Sequence, residues 1–136
     1  MSQNAITLTS DEQTTLRTAA YGAVTLLSMA RPGPISSTRQ NMAGALSLTS
    51  ATGLVGRILS AKEKIALKGT TADVADQVLP ALTEAVAILD AKAPAETAEF
   101  QRAVTTAIQQ AIAATSRPNQ AQDDMATKIT TALQGR

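Results

Sequence analysis

The sequence contains no histidine, no cysteine and no tryptophan, and it has one tyrosine and one phenylalanine in 136 residues. Without His or Cys there can be no imidazole- or thiol-based nucleophilic catalysis, no Cys/His zinc site, no thiol redox centre and no disulfide framework. Two aromatics, Tyr21 and Phe100, cannot build a base-stacking platform for nucleic acid. A formal net charge of +1 is also poor electrostatic footing for a polyanion. No Gly-x-x-x-x-Gly-Lys-Ser/Thr loop occurs, and the Ala-x-x-x-Gly-x-x-x-x-x-Val/Ile spacing common in helix-turn-helix proteins is absent. The longest uncharged stretch, Gln40 to Gly56, has 17 residues. It carries Ser47, Thr49, Ser50, Thr52 and three glycines, which makes it too polar for confident insertion in a bilayer. Met1 to Glu12 has neither a basic stretch nor an apolar run of signal length, so a cytoplasmic location is the default expectation.

What the chain does have is alanine, 27 residues of it, and threonine, 19 residues. Leu, Ile, Val and Phe together number only 28, close to the composition of disordered chains. The near-zero net charge removes the self-repulsion that usually accompanies disorder. Alanine is the best helix former, so the composition favours a helical protein with a thin, alanine-rich interior. Such an interior gains from extra burial, and a homodimer is the simplest way to obtain it. Low lysine with high alanine and threonine is the composition expected of a GC-rich bacterial genome, which speaks to source and not to function.

Five helical segments can be read. Thr9 and Glu12 match a capping box, and Leu16, Ala20, Ala23, Val24 and Leu27 form a stripe that stops near Ala30, before Arg31-Pro32-Gly33-Pro34. A second start lies at Ser36-Ser37-Thr38, with Ser37 and Gln40 at capping-box spacing. Met42, Leu46, Leu54, Val55, Ile58 and Leu59 follow, interrupted by Gly44, Gly53 and Gly56, with a break expected near Thr52-Gly53. A third begins at Thr70 or Thr71 and carries Val74, Val78, Leu82, Val86 and Leu89, with a kink expected at Pro80. A fourth starts at Pro94 or Ala95 and presents Phe100, Ala103, Val104, Ala107, Ile108, Ala111 and Ile112. The last runs from about Asn119 to Gln134 with Met125, Ile129 and Leu133 on one face. No strand is supported. The expectation is all-α: a single compact bundle over residues 1–136, an alanine-rich core, consecutive helices antiparallel, and a flexible N-terminus at 1–8.

Three groups of residues could recognise something. Arg31, Ser36, Ser37, Thr38 and Arg39 place two guanidinium groups and three hydroxyls around a helix start, a setting that suits a small anion such as phosphate or carboxylate. The same residues also serve as an ordinary rigid turn with a serine cap. Arg57, Lys62, Lys64 and Lys68 make a basic patch opposed only by Glu63, which reads as a solvated face or a weak nucleic-acid contact. Gly44, Gly53 and Gly56, or Met125, Ile129 and Leu133, are the candidate seams for an interface between two copies. The carboxylate pairs Asp73/Asp76, Glu96/Glu99 and Asp123/Asp124 fall in first helical turns, where the helix dipole alone favours negative charge. They suggest no metal site, because helical di-iron sites need Glu-x-x-His.

Charge is divided along the chain. Residues 1–68 hold 7 Lys+Arg against 3 Asp+Glu, a balance of +4, and residues 69–136 hold 5 against 8, a balance of −3. Such halves can complement each other within a chain or across a dimer and help set orientation. The functional expectation is a non-catalytic, cytoplasmic interaction or assembly module, homodimeric or bound to another protein. It needs no cofactor, and nucleic acid and membrane are disfavoured as partners. The alternative is a protein that binds a small anion at the Arg31–Arg39 turn.

Overall fold

A computed structural model of the chain describes residues 8–29, 48, 49, 51, 53–60, 67, 69–113 and 120–134. The fold is all-α. Among the described residues there are five helices and no strand: α1 (Ser10–Met29), α2 (Gly53–Ser60), α3 (Thr71–Lys92), α4 (Pro94–Ala113) and α5 (Gln120–Leu133).

The helix starts are set by local side-chain chemistry. Thr9 N–H donates to Glu12 Oε1 at 2.8 Å while Glu12 N–H donates to Thr9 Oγ1 at 3.1 Å, the reciprocal pair that the sequence spacing predicts for α1. Thr70 and Asp73 repeat the device at α3, at 3.0 and 3.2 Å, with an aspartate in the place usually held by Glu or Gln. Leu8, assigned by sequence to a flexible N-terminus, is buried, and its carbonyl accepts from Gln13 Nε2 at 2.9 Å. Between α3 and α4 the connection is Ala93 alone. Its N–H bonds to the Leu89 carbonyl at 2.7 Å, and its own carbonyl accepts from Glu96 N–H at 2.8 Å. Pro94 then opens α4 at the position where a missing N–H is not needed.

Helix α3 runs through Pro80 without interruption. Pro80 supplies no N–H to the Asp76 carbonyl. Pro80 and Asp76 are both exposed, so that carbonyl lies on the side of the helix where water can serve it. Threonine is tolerated inside these helices by a related local device. Thr15, Thr25 and Thr127 each donate their hydroxyl to the carbonyl four residues earlier.

One hydrophobic cluster joins all five helices. Its largest fully buried side chain is Phe100 on α4, and Leu16, Leu26, Leu27, Leu82, Leu89 and Ile129 are other large side chains fully buried in it. The expected stripes supply most of the cluster, and alanines 19, 20, 23, 85, 103, 107 and 111 fill the positions between them. Helices α1 and α3 share the most extensive contact and run antiparallel, since Lys92 at the end of α3 pairs with Glu12 at the start of α1 at 2.7 Å. The Lys92 ammonium, then the Thr9 N–H, hold the Glu12 carboxyl below the usual carboxylate range. Small residues let α1 and α3 approach closely. A Cβ built on Gly22 would stand 2.6 Å from Val78 Cγ2.

Two outcomes test this packing. Gly22→Ala adds helix propensity worth up to about 1 kcal/mol but overpacks a stiff, fully buried valine at about 1–3 kcal/mol, so urea unfolding will show a net loss. Adding Val78→Ala will make the double variant more stable than the sum of the two single effects, a coupling that a thermodynamic cycle measures. Tyr21 is the sole tyrosine, and burial pushes its hydroxyl above the ordinary value of 10.0. Its ultraviolet titration in the folded protein will therefore fall above 10.0 and return to the ordinary value in denaturant. Because the folded value is the higher one, the stability linked to Tyr21 is complete below pH 10.0 and is lost as pH rises through the folded value.

Candidate functional site

The residues singled out by sequence divide sharply. Arg31, Ser36, Ser37, Thr38 and Arg39 lie outside the described residues, as do Lys62, Lys64, Lys68 and Gly44. Of the basic patch, Arg57 is described: it is exposed in the last turn of α2 and lines a shallow hollow with Ala51, Gly53, Gly56 and Ser60.

The two described glycines of the candidate seam have neighbours within the chain itself. Gly53 opens α2 with φ +69°, a backbone conformation that L side chains rarely adopt. A Cβ there would also meet the Glu96 carboxylate at 2.8 Å. A Cβ on Gly56 would collide with the backbone carbonyl of Ala51. On α5, Ile129 and Leu133 are buried in the core, and Met125 is half-buried against it. A partner could reach Ile129 or Leu133 only by opening the bundle.

The carboxylates hold helix ends and ion pairs. Asp73 closes the cap of α3, Glu99 pairs with Arg102 at 2.6 Å, and Asp124 accepts from Gln120 Nε2 at 3.0 Å. Glu96 reaches across to α2, where its Oε1 accepts from Val55 N–H at 3.2 Å. It thereby serves one of the orphan donors at that helix start. Among the described residues no three carboxylates gather into a group that could hold a metal ion. No helix among them is long and apolar enough to cross a membrane.

Sequence reasoning missed a set of long side chains that end helices other than their own. Gln122 on α5 is buried and donates to the Leu27 carbonyl in the last turn of α1 at 2.9 Å. The Tyr21 hydroxyl on α1 donates to the Leu59 carbonyl at the end of α2. Gln101 on α4 donates to the Leu133 carbonyl at 2.8 Å, and Thr83 on α3 donates to the Ala132 carbonyl at 3.2 Å, so two neighbours hold the end of α5. Each satisfies a carbonyl that has no partner within its own helix. The partners lie 32 to 95 residues apart, and no local spacing announces them. Arg17, also unmarked by sequence, is buried on α1, with Nη2 3.4 Å from Thr14 Oγ1.

A further surface feature is an open groove between α3 and α5. Leu79, Pro80 and Thr83 form one wall, and Thr127, Lys128 and Thr131 form the other. Leu79 is half-buried, and Pro80, Thr127, Lys128 and Thr131 line the solvent-facing side. The walls are mainly carbon: a proline ring, a leucine and threonine methyls.

The tight approach at α2 gives a direct test. Gly56→Ala places a methyl group against a backbone carbonyl that cannot swing away, and it will lower the free energy of unfolding by about 2 kcal/mol. The neighbouring exposed change Arg57→Ala will stay within about 0.5 kcal/mol of the parent protein. Denaturant titration of the two variants checks both values.

No family model, no curated protein and no solved structure matches this chain.

Proposed function

We propose that this chain is a non-catalytic helical interaction module that self-associates as a homodimer. The observation that carries this reading is the use made of the interior polar side chains. Gln122 bonds to the end of α1, Ser28 to the Val24 carbonyl at 3.0 Å, and Thr97 to Asp90 at 2.7 Å. Gln122 and Thr97 fasten helices together and Ser28 is satisfied within its own helix, where an enzyme of this size would aim comparable groups into a cleft around a substrate. A bundle held in this way is a scaffold, and its useful surface is its outside.

The composition supplies the motive for association. Seven of the fully or nearly fully buried positions named above are alanine, so the interior holds little apolar area for its length. Pairing two copies adds burial without new side-chain chemistry.

Sedimentation or light scattering at micromolar concentration tests the reading. The expected particle has twice the 14.0 kDa chain mass and dissociates on dilution. A mass that stays at 14.0 kDa throughout the micromolar range overturns it.

A further inference from the structure

We propose that α2 is a latched strap, which leaves the bundle as one unit while the four long helices stay folded, with Glu96 and Tyr21 as the two catches that hold it down. The proposal goes beyond self-association and holds for one copy of the chain or for two.

Contacts between helices mark out the unit. Helices α1, α3, α4 and α5 have 20, 22, 20 and 14 residues, and every pair among them is in contact. Four helices packed in this way are a bundle architecture in their own right. Helix α2 has eight residues and meets only α1 and α4 among the described helices. Its departure breaks no contact between the long helices. Val55, Ile58 and Leu59 join it to the common core, while Gly53, Arg57 and Ser60 on its other side are exposed.

The helix also depends on its neighbours for its shape. Two turns are too few to be stable alone in water, and glycines at 53 and 56 weaken this helix further. Docking therefore decides whether α2 is helical at all. Its ends show the same dependence. At the start, Val55 N–H donates to Glu96 Oε1 of α4 at 3.2 Å, and at the end the Leu59 carbonyl accepts from the Tyr21 hydroxyl of α1. One catch comes from each helix that α2 touches. By contrast, α1 and α3 close their own starts through Thr9 with Glu12 and through Thr70 with Asp73. An element whose core contacts, helical form and end bonds all require docking loses them together, as a cooperative unit of lower stability than the rest.

Opening has a defined chemical result. Three aliphatic side chains, Val55, Ile58 and Leu59, leave a position where each is at most 4% exposed, and their backbone is released from the helix. The Tyr21 hydroxyl returns to water. The strap thus presents an apolar stretch of chain in the open state and conceals it in the closed one.

Native-state hydrogen exchange on the full chain, in urea concentrations below the unfolding transition, tests the proposal. The amides of Arg57, Ile58, Leu59 and Ser60 will share one urea-sensitive opening, at least about tenfold more populated than the opening that exposes Leu82 and Val86 of α3. Glu96→Ala and Tyr21→Phe each remove one catch and will raise the α2 opening about fivefold, whereas Glu96→Gln keeps an acceptor oxygen and will stay within about twofold of the parent. Both side chains are only half-buried, and circular dichroism reports that the long helices persist in each variant. If the α2 amides exchange only with those of α3, the helix leaves only when the bundle unfolds and the proposal is overturned. It is equally overturned if the α2 amides open one by one without urea dependence, since that is fraying and not a unit. If neither Glu96→Ala nor Tyr21→Phe changes α2 exchange, these side chains are not the catches and the proposal fails.

Discussion

The close contact of α1 with α3 sets the scale of the whole bundle. Gly22 faces Val78 with no room for one more carbon, and alanines 19, 20 and 23 line the same helix. With side chains this small, helix axes approach until backbone and β-carbons touch, and the interior becomes thin. A thin interior has few large side chains to lock helices in register. Phe100 and a handful of leucines and isoleucines do that work alone, while the alanines set how near each neighbour can lie.

Helix ends then become the second means of fixing the bundle. Short helices in a tightly packed array bring their termini against the flanks of their neighbours, where water access is reduced. The unpaired carbonyls and N–H groups of those termini need partners. Gln122, Gln101, Thr83, Tyr21 and Glu96 provide them, each from a different helix than the one it completes. Each such bond is directional, and its loss would strand a partly buried backbone group. The bonds therefore specify which helix end belongs beside which flank, a task that interchangeable alanines cannot perform. Glutamine and threonine thus have architectural roles here that a larger apolar core would make unnecessary.

The same economy shapes the surface. Pro80 is accommodated in α3 because it faces outward, and the face it occupies is the one that meets α5 at the open groove. A proline in a buried stripe would have removed a bond where no water could replace it. On the exposed side it leaves an apolar ring and a carbonyl that water can reach. Few large apolar residues are available, and those present have been drawn inward.

Much of the helical framework was legible in the sequence because its signals are local. The Thr9–Glu12 box, the Thr70 start, the Pro94 start and the stripes through Leu16, Val78 and Phe100 depend on spacings of three and four residues, which the chain displays directly. The absence of His and Cys likewise bounds the chemistry through composition alone. The roles of particular polar residues and glycines were not legible. Gly56 and Gly53 have the spacing of a seam for a second copy, yet their nearest neighbours are the Ala51 carbonyl and the Glu96 carboxylate of the same chain. Ile129 and Leu133 could have faced inward or outward on periodicity alone, and packing turned them inward. Sequence determines which segments become helices because helix formation is governed within a turn or two. Tertiary structure decides which glutamine completes which helix end, because that depends on groups up to 95 residues apart meeting in a single packed arrangement.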